Sequence, residues 1–98
     1  MKTPKQLERH FKGIANHWRI AILLLLDKNE GISVDQITQS LKGNFKTISQ
    51  HTRYLVQAGL LRKQYQGRQV IHFLSPYGKT IVNFIKSFQS IEPSKKSV

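Results

Sequence analysis

Ninety-eight residues suffice for one domain with a small core but not for a two-lobed enzyme with a deep cleft, and 39% hydrophobic against 21% charged residues excludes a wholly disordered chain. The absence of cysteine excludes disulfides, thiolate metal sites and cysteine nucleophiles, while a net charge of +11 points to a polyanionic partner, nucleic acid before a membrane surface. The charge is also segregated: Met1 to Asp35 holds six Lys/Arg and four Asp/Glu, whereas Gln36 to Ile91 holds eight Lys/Arg and no acid.

Thr3-Pro4-Lys5-Gln6 reads as an N-cap, a first-position proline and a capping-box glutamine, opening a helix with Leu7, Phe11 and Ile14 on one stripe. Asn16 re-caps a second helix whose Trp18 and Ile20 to Leu26 are apolar nearly all round, as expected of a helix buried on several sides. That run of seven is far short of the roughly 20 residues that span a bilayer. It ends in Asp27-Lys28-Asn29-Glu30 without a small-residue cleavage site, so neither a membrane span nor a signal peptide is expected, and the chain reads as soluble and cytoplasmic. Gly31 breaks this helix, and Ile32-Ser33-Val34 is a very short strand or an extended entry.

Ser33 and Gln36 form another capping box, with Val34, Ile37 and Leu41 facing inward before Lys42-Gly43. Asn44 then caps a helix that stops at Gly59, making a helix-turn-helix. Ile48, Leu55 and Ala58 anchor this second helix, and its other side carries Lys46, Thr47, Ser49, Gln50, His51 and Arg53 without one carboxylate. An ordinary solvated helix mixes both signs, so the pattern favours phosphates and base edges. The period then changes. Leu61 to Tyr65 and Val70 to Phe73 alternate as strands about a turn at Gln66-Gly67-Arg68, giving a basic hairpin over residues 62–73 with Gln66, Arg68 and Gln69 at its tip. Beside a helix-turn-helix such a hairpin is a wing; by itself it is a solvated hairpin.

Ser75-Pro76 opens a last helix bearing Tyr77, Ile81, Val82, Phe84, Ile85, Phe88 and Ile91, more apolar surface than a small domain buries alone. Pairing with the first helix and with the same helices of a second chain is expected, through Leu7, Phe11, Ile14, Ile81, Phe84, Ile85 and Phe88. The alternative is that these residues complete the core of one chain. Residues 1–91 form the domain, and Glu92 to Val98 is expected to be a disordered basic tail.

This element order resembles the ArsR-type winged-helix repressors, and FKGIANHWRIAILLLL, ISVDQITQSLK, KTISQHTRYLVQAGLLR and GRQVIHFL are similar to that family's entry segment, first helix of the motif, recognition helix and wing. Arg19, Thr47, Ile48, Ser49, His51, Leu55, Ala58, Gly59 and Leu60 carry the match over about residues 10 to 88. The resemblance implies a mainly α fold with a β-hairpin wing, acting as a homodimer that represses transcription from an operator. Thr52 departs from it, standing where a buried leucine is usual, as does Gly43, where a hydrophobic residue is usual. Metal-sensing members place cysteines on the motif's first helix, or Asp/His and His/Glu pairs on the last. Val34 to Leu41 has no Cys and Pro76 to Ile91 has neither His nor acid, so metal sensing is not implied.

No cofactor or enzymatic activity is expected. His10 and His17 are seven apart but separated by the Asn16 cap, no carboxylates pair, no serine has a His/Asp partner and no glycine-rich loop cradles phosphate. The favoured reading is a sequence-specific binder of double-stranded DNA, with Asn44, Lys46, Thr47, Ser49, Gln50, His51, Arg53, Arg62, Lys63 and Arg68 as contact residues. The alternatives are a non-specific nucleic-acid binder, for which only Phe45 and Tyr65 offer exposed stacking rings, and a protein-interaction module. Whether a small-molecule effector acts is left open.

Overall fold

The computed structural model describes residues 1–91 and contains five helices and one hairpin; the expectation of a disordered tail lies outside the described residues. Helix α2 (His17–Lys28) is the centre, packing against α3 (Val34–Leu41), α4 (Phe45–Gln57), β2 (Gln69–Leu74) and α5 (Pro76–Ser90). Its apolar run explains this position: Ile22, Leu23 and Leu26 are fully buried and join Ile37, Ile48, Leu55, Leu60 and Val82 in one core. Each such side chain contributes roughly 1.5–3 kcal/mol by leaving water.

The expected caps form. Thr3 and Gln6 exchange hydrogen bonds at the start of α1 (Pro4–Gly13), Ser33 and Gln36 do so at α3, Asn16 Oδ1 accepts from the Trp18 and Arg19 amides, and Ser75 Oγ accepts from Gly78 N–H. Helix α2 ends at Lys28, before Gly31, which instead lies at φ +76° and turns the chain into Ile32. Ile32 forms an isolated antiparallel bridge to His72, so the segment is a single rung rather than a strand. β1 (Leu61–Gln66) pairs antiparallel with β2, Gln66 opposite Gln69, leaving Gly67 and Arg68 as a two-residue turn with Gly67 at φ +63°.

Two departures from the family pattern have physical causes here. Thr52 is buried because its hydroxyl donates back to the Ile48 carbonyl at 2.8 Å, which satisfies the polar group inside the core. Gly43 is needed for space: a β-carbon there would lie 2.9 Å from the Ile48 side chain and 3.3 Å from Trp18. The left-handed residue of the turn is its neighbour Lys42, at φ +53°.

Within one chain α1 meets α5 at its first turn, where the His10 and Tyr77 rings lie 4.7 Å apart and the Lys2 ammonium sits over Tyr77. The rest of the two apolar stripes is open. Phe11 is 52% exposed, Phe84 54% and Phe88 67%, and Leu7 is exposed as well. Ile14 and Ile81 partly serve the core and Ile85 is half-buried, whereas Tyr77 and Ile91 are exposed with the rest of the stripe. The alternative in which these residues complete the core of a single chain does not hold for Leu7, Phe11, Phe84 or Phe88.

Candidate nucleic-acid interface

Helix α4 begins where Asn44 Oδ1 accepts from the Lys46 and Thr47 amides, at 2.9 and 3.2 Å. The oxygen of Asn44 is therefore spent on the cap, and only its amide NH2 faces outward. With about 100° per residue, the remaining polar residues divide between two faces. Phe45, Ser49 and Arg53 form one row and Lys46 and Gln50 the next; Lys46, Gln50 and Arg53 point away from Ile48, Thr52 and Leu55, whereas Phe45 lies on the flank of the buried side, about 20° round the helix from Thr52. Lys46, Gln50 and Arg53 are exposed there. Thr47 and His51 lie on the flank nearer α2 and are half-buried.

His51 is held by a residue that sequence reasoning singled out only as a family marker. Arg19 Nε donates to His51 Nδ1 at 3.2 Å, Arg19 Nη1 donates to the Lys12 carbonyl at 2.8 Å, and the guanidinium lies 3.6 Å from the centre of the Tyr54 ring. Since Nδ1 accepts, the ring proton is assigned to Nε2, which remains a donor. Burial, then the charge of Arg19, then His17, holds the His51 pKa below the usual histidine value and so favours the neutral ring.

The wing carries Arg62, Lys63 and Arg68, all exposed. A hollow of about 330 Å³ between α4 and the hairpin is lined by Ser49, Arg53, Gln57 and Lys63 over Val56 and His72. Two cations and two neutral donors facing one another across such a space suit a single phosphate group. Among the described residues the ion pairs are Lys12–Glu8 and Lys86–Asp27, so Lys42, Lys46, Arg53, Arg62, Lys63 and Arg68 have no carboxylate within pairing distance. Glu30 instead accepts from the Leu74 amide at 3.2 Å, a contact across 44 residues that the sequence did not announce.

The four histidines do not gather. His10 and His17 fall on different helices, His51 is on α4 and His72 is buried with Nδ1 beside the Ile32 carbonyl at 3.2 Å. Among the described residues no three His, Cys, Asp or Glu side chains converge as a metal site would require, and no helix is long and apolar enough to cross a membrane.

No protein-family model matches the chain. Solved structures do. HlyU from Vibrio cholerae N16961 is 26% identical with a TM-score of 0.78, over 90% of this chain and 97% of that one. The homodimeric winged helix-turn-helix DNA-binding domain of Mb0332 from Mycobacterium bovis, a possible ArsR-family transcriptional regulator, is 26% identical with a TM-score of 0.73, over 87% of this chain and 76% of that one. The transcriptional repressor PagR of Bacillus anthracis is 26% identical with a TM-score of 0.75, over 83% of this chain and 93% of that one. The chain has the winged helix-turn-helix fold of ArsR-family DNA-binding transcriptional regulators, which are not enzymes.

Proposed function

We propose that this protein is a sequence-specific transcriptional repressor that binds a palindromic site in double-stranded DNA as a homodimer. The observation that carries the reading is the carboxylate-free cationic face shared by α4 and the hairpin, in a fold whose relatives include a DNA-binding domain and a repressor. The N-terminal half of α4 enters the major groove. There Gln50 is suited to pair with adenine and Lys46 with guanine, while Ser49 and Thr47 reach bases or phosphates. Arg53, Arg62, Lys63 and Arg68 grip the backbone and fix orientation, and His51 donates through Nε2. The exposed stripe of α1 and α5, including Leu7, Phe11, Phe84 and Phe88 with the half-buried Ile14, Ile81 and Ile85 at its edge, is covered by a second copy. This sets the two α4 helices about one helical turn of DNA apart.

Competition separates this function from general nucleic-acid binding. A labelled specific duplex should resist displacement by bulk duplex at physiological salt by at least about a thousandfold excess. Displacement by equal amounts of bulk duplex or of single strands would establish a non-specific binder. Retention of an acidic protein with no retention of duplex would establish the protein-interaction reading instead.

A further inference from the structure

Phe45 stands outside the buried core. It occupies the first position of α4 and is 52% exposed, whereas Ile48 one turn later is fully buried. That position does not call for a ring, because the cap is made by Asn44. A large apolar group half in water at the first turn of α4 is accounted for by what that end of the helix meets.

The surroundings of Phe45 narrow what that is. It heads the row that continues through Ser49 and Arg53, on the flank of α4 that faces α3 and the hairpin. Beside it lies a hollow of about 240 Å³ with Val34 and Val70 on its apolar side and Asp35, Arg68 and Gln69 on its polar side. Asp35 and Arg68 put opposite charges on its rim, so the hollow has no net positive charge to draw a phosphate, and its apolar side suits a neutral group. One ring and two half-buried valines are too small for a protein interface, which buries on the order of 1,200 Å² or more, and the surrounding cations favour a polyanion that carries its own apolar groups. In the major groove the exposed apolar group is the thymine 5-methyl, and contact with phenylalanine is a known way to read it.

We propose that Phe45 is a specificity-determining residue that recognises a thymine through its 5-methyl group, at the base step met by the first turn of α4. This rests on the DNA-binding function above and adds to it a contact of a different kind. Hydrogen-bonding residues tell purines apart by donors and acceptors; Phe45 distinguishes thymine from a pyrimidine that lacks the methyl.

Replacing thymine by uracil removes only that methyl. Affinities of the wild type, Phe45→Ala and Phe45→Leu would be measured by fluorescence anisotropy at one salt concentration. The duplexes would be an enriched specific site, versions with each thymine exchanged symmetrically for uracil, and bulk duplex, with thermal midpoints confirming that the variants fold. At one thymine the exchange should weaken the wild type by about fourfold per half-site, the value of one methyl group taken out of water, or roughly 15-fold for the pair. Phe45→Ala should already bind the thymine duplex that much more weakly and be indifferent to the exchange, and Phe45→Leu should retain part of the discrimination. Uracil exchange that leaves the wild type within twofold everywhere, or that weakens Phe45→Ala equally, overturns the proposal. So does a Phe45→Ala loss that is larger for single strands than for duplex. If the wild type does not separate the enriched site from bulk duplex, the DNA-specific function itself fails and the contact falls with it.

Discussion

Arg19 Nε donates to His51 Nδ1 at 3.2 Å, so a residue at the start of the central helix sets both the tautomer and the direction of a side chain on α4. The same guanidinium reaches the Lys12 carbonyl and lies over Tyr54, joining the end of α1, the start of α2 and the middle of α4. Because these contacts need a planar fork, Arg19→Lys should lose most of them despite keeping the charge. We expect a stability loss of about 1–3 kcal/mol by urea unfolding and weaker binding to the specific site than to bulk duplex. Unchanged stability together with unchanged discrimination would remove Arg19 from the account.

The contact residues should separate by role. Gln50→Ala should narrow the gap between the specific and mismatched duplexes by about 1–3 kcal/mol, since an unpaired base edge is what it leaves behind. Arg68→Ala, at the wing tip, should weaken all sequences alike and reduce the slope of log affinity against log salt by about one unit. Titrations at several salt concentrations distinguish the two, and equal sequence-independent losses in both variants would contradict the assignment.

If the exposed stripe of α1 and α5 forms the proposed dimer interface, a charge placed on it should leave single chains that are still folded. Phe84→Glu should give a species of one chain mass, 11.3 kDa, by light scattering, with retained helicity by circular dichroism and a loss of about a hundredfold or more on a two-half-site duplex. A wild type that is already monomeric at micromolar concentration would count against the dimer.

Acidification should destabilise the fold. Burial, as the largest cause, lowers the pKa values of His10, His51 and His72 below the usual 6.5. The unfolded chain therefore binds more protons than the folded one once the pH falls below about 6.5, and stability drops as pH falls through that point and levels off above it. His72, buried beside the Ile32 carbonyl, should account for a large share, so His72→Asn should flatten the profile. Urea midpoints at about pH 5.5 and 7.5 check the sign, and a midpoint that rises on acidification contradicts it.

Glycine has different uses at different positions. A β-carbon at Gly78 would overlap the Leu60 carbonyl oxygen, so Gly78→Ala should cost about 3 kcal/mol or more. At Gly67 nothing lies within 4 Å and only the φ of +63° is strained, so Gly67→Ala should cost about 1 kcal/mol. Similar thermal shifts in both variants would refute the distinction.

The helix starts were readable because Thr3, Asn16, Ser33, Asn44 and Ser75 act locally, through side chains reaching amides two or three residues on. The cationic face was readable for a similar reason, since one helix and one hairpin are each continuous in sequence. What could not be read depends on distant partners: Arg19 meeting His51, Glu30 meeting Leu74 and Gly43 making room for Ile48 and Trp18. The stop of α2 at Lys28 was also hidden, because Gly31 is the stronger breaker on paper while the bridge of Ile32 to His72 decides where the chain must turn. Phe45 reads in sequence only as an exposed stacking ring, because the residues that flank it, Val34, Asp35, Arg68 and Gln69, come from distant segments.

Selection of bound sites from a random duplex library by the full chain tests the central claim most directly. The account predicts an enriched inverted repeat whose half-sites are centred about one turn, roughly 10 base pairs, apart. Enrichment of nothing, or of an unpaired motif with no symmetry, would contradict it.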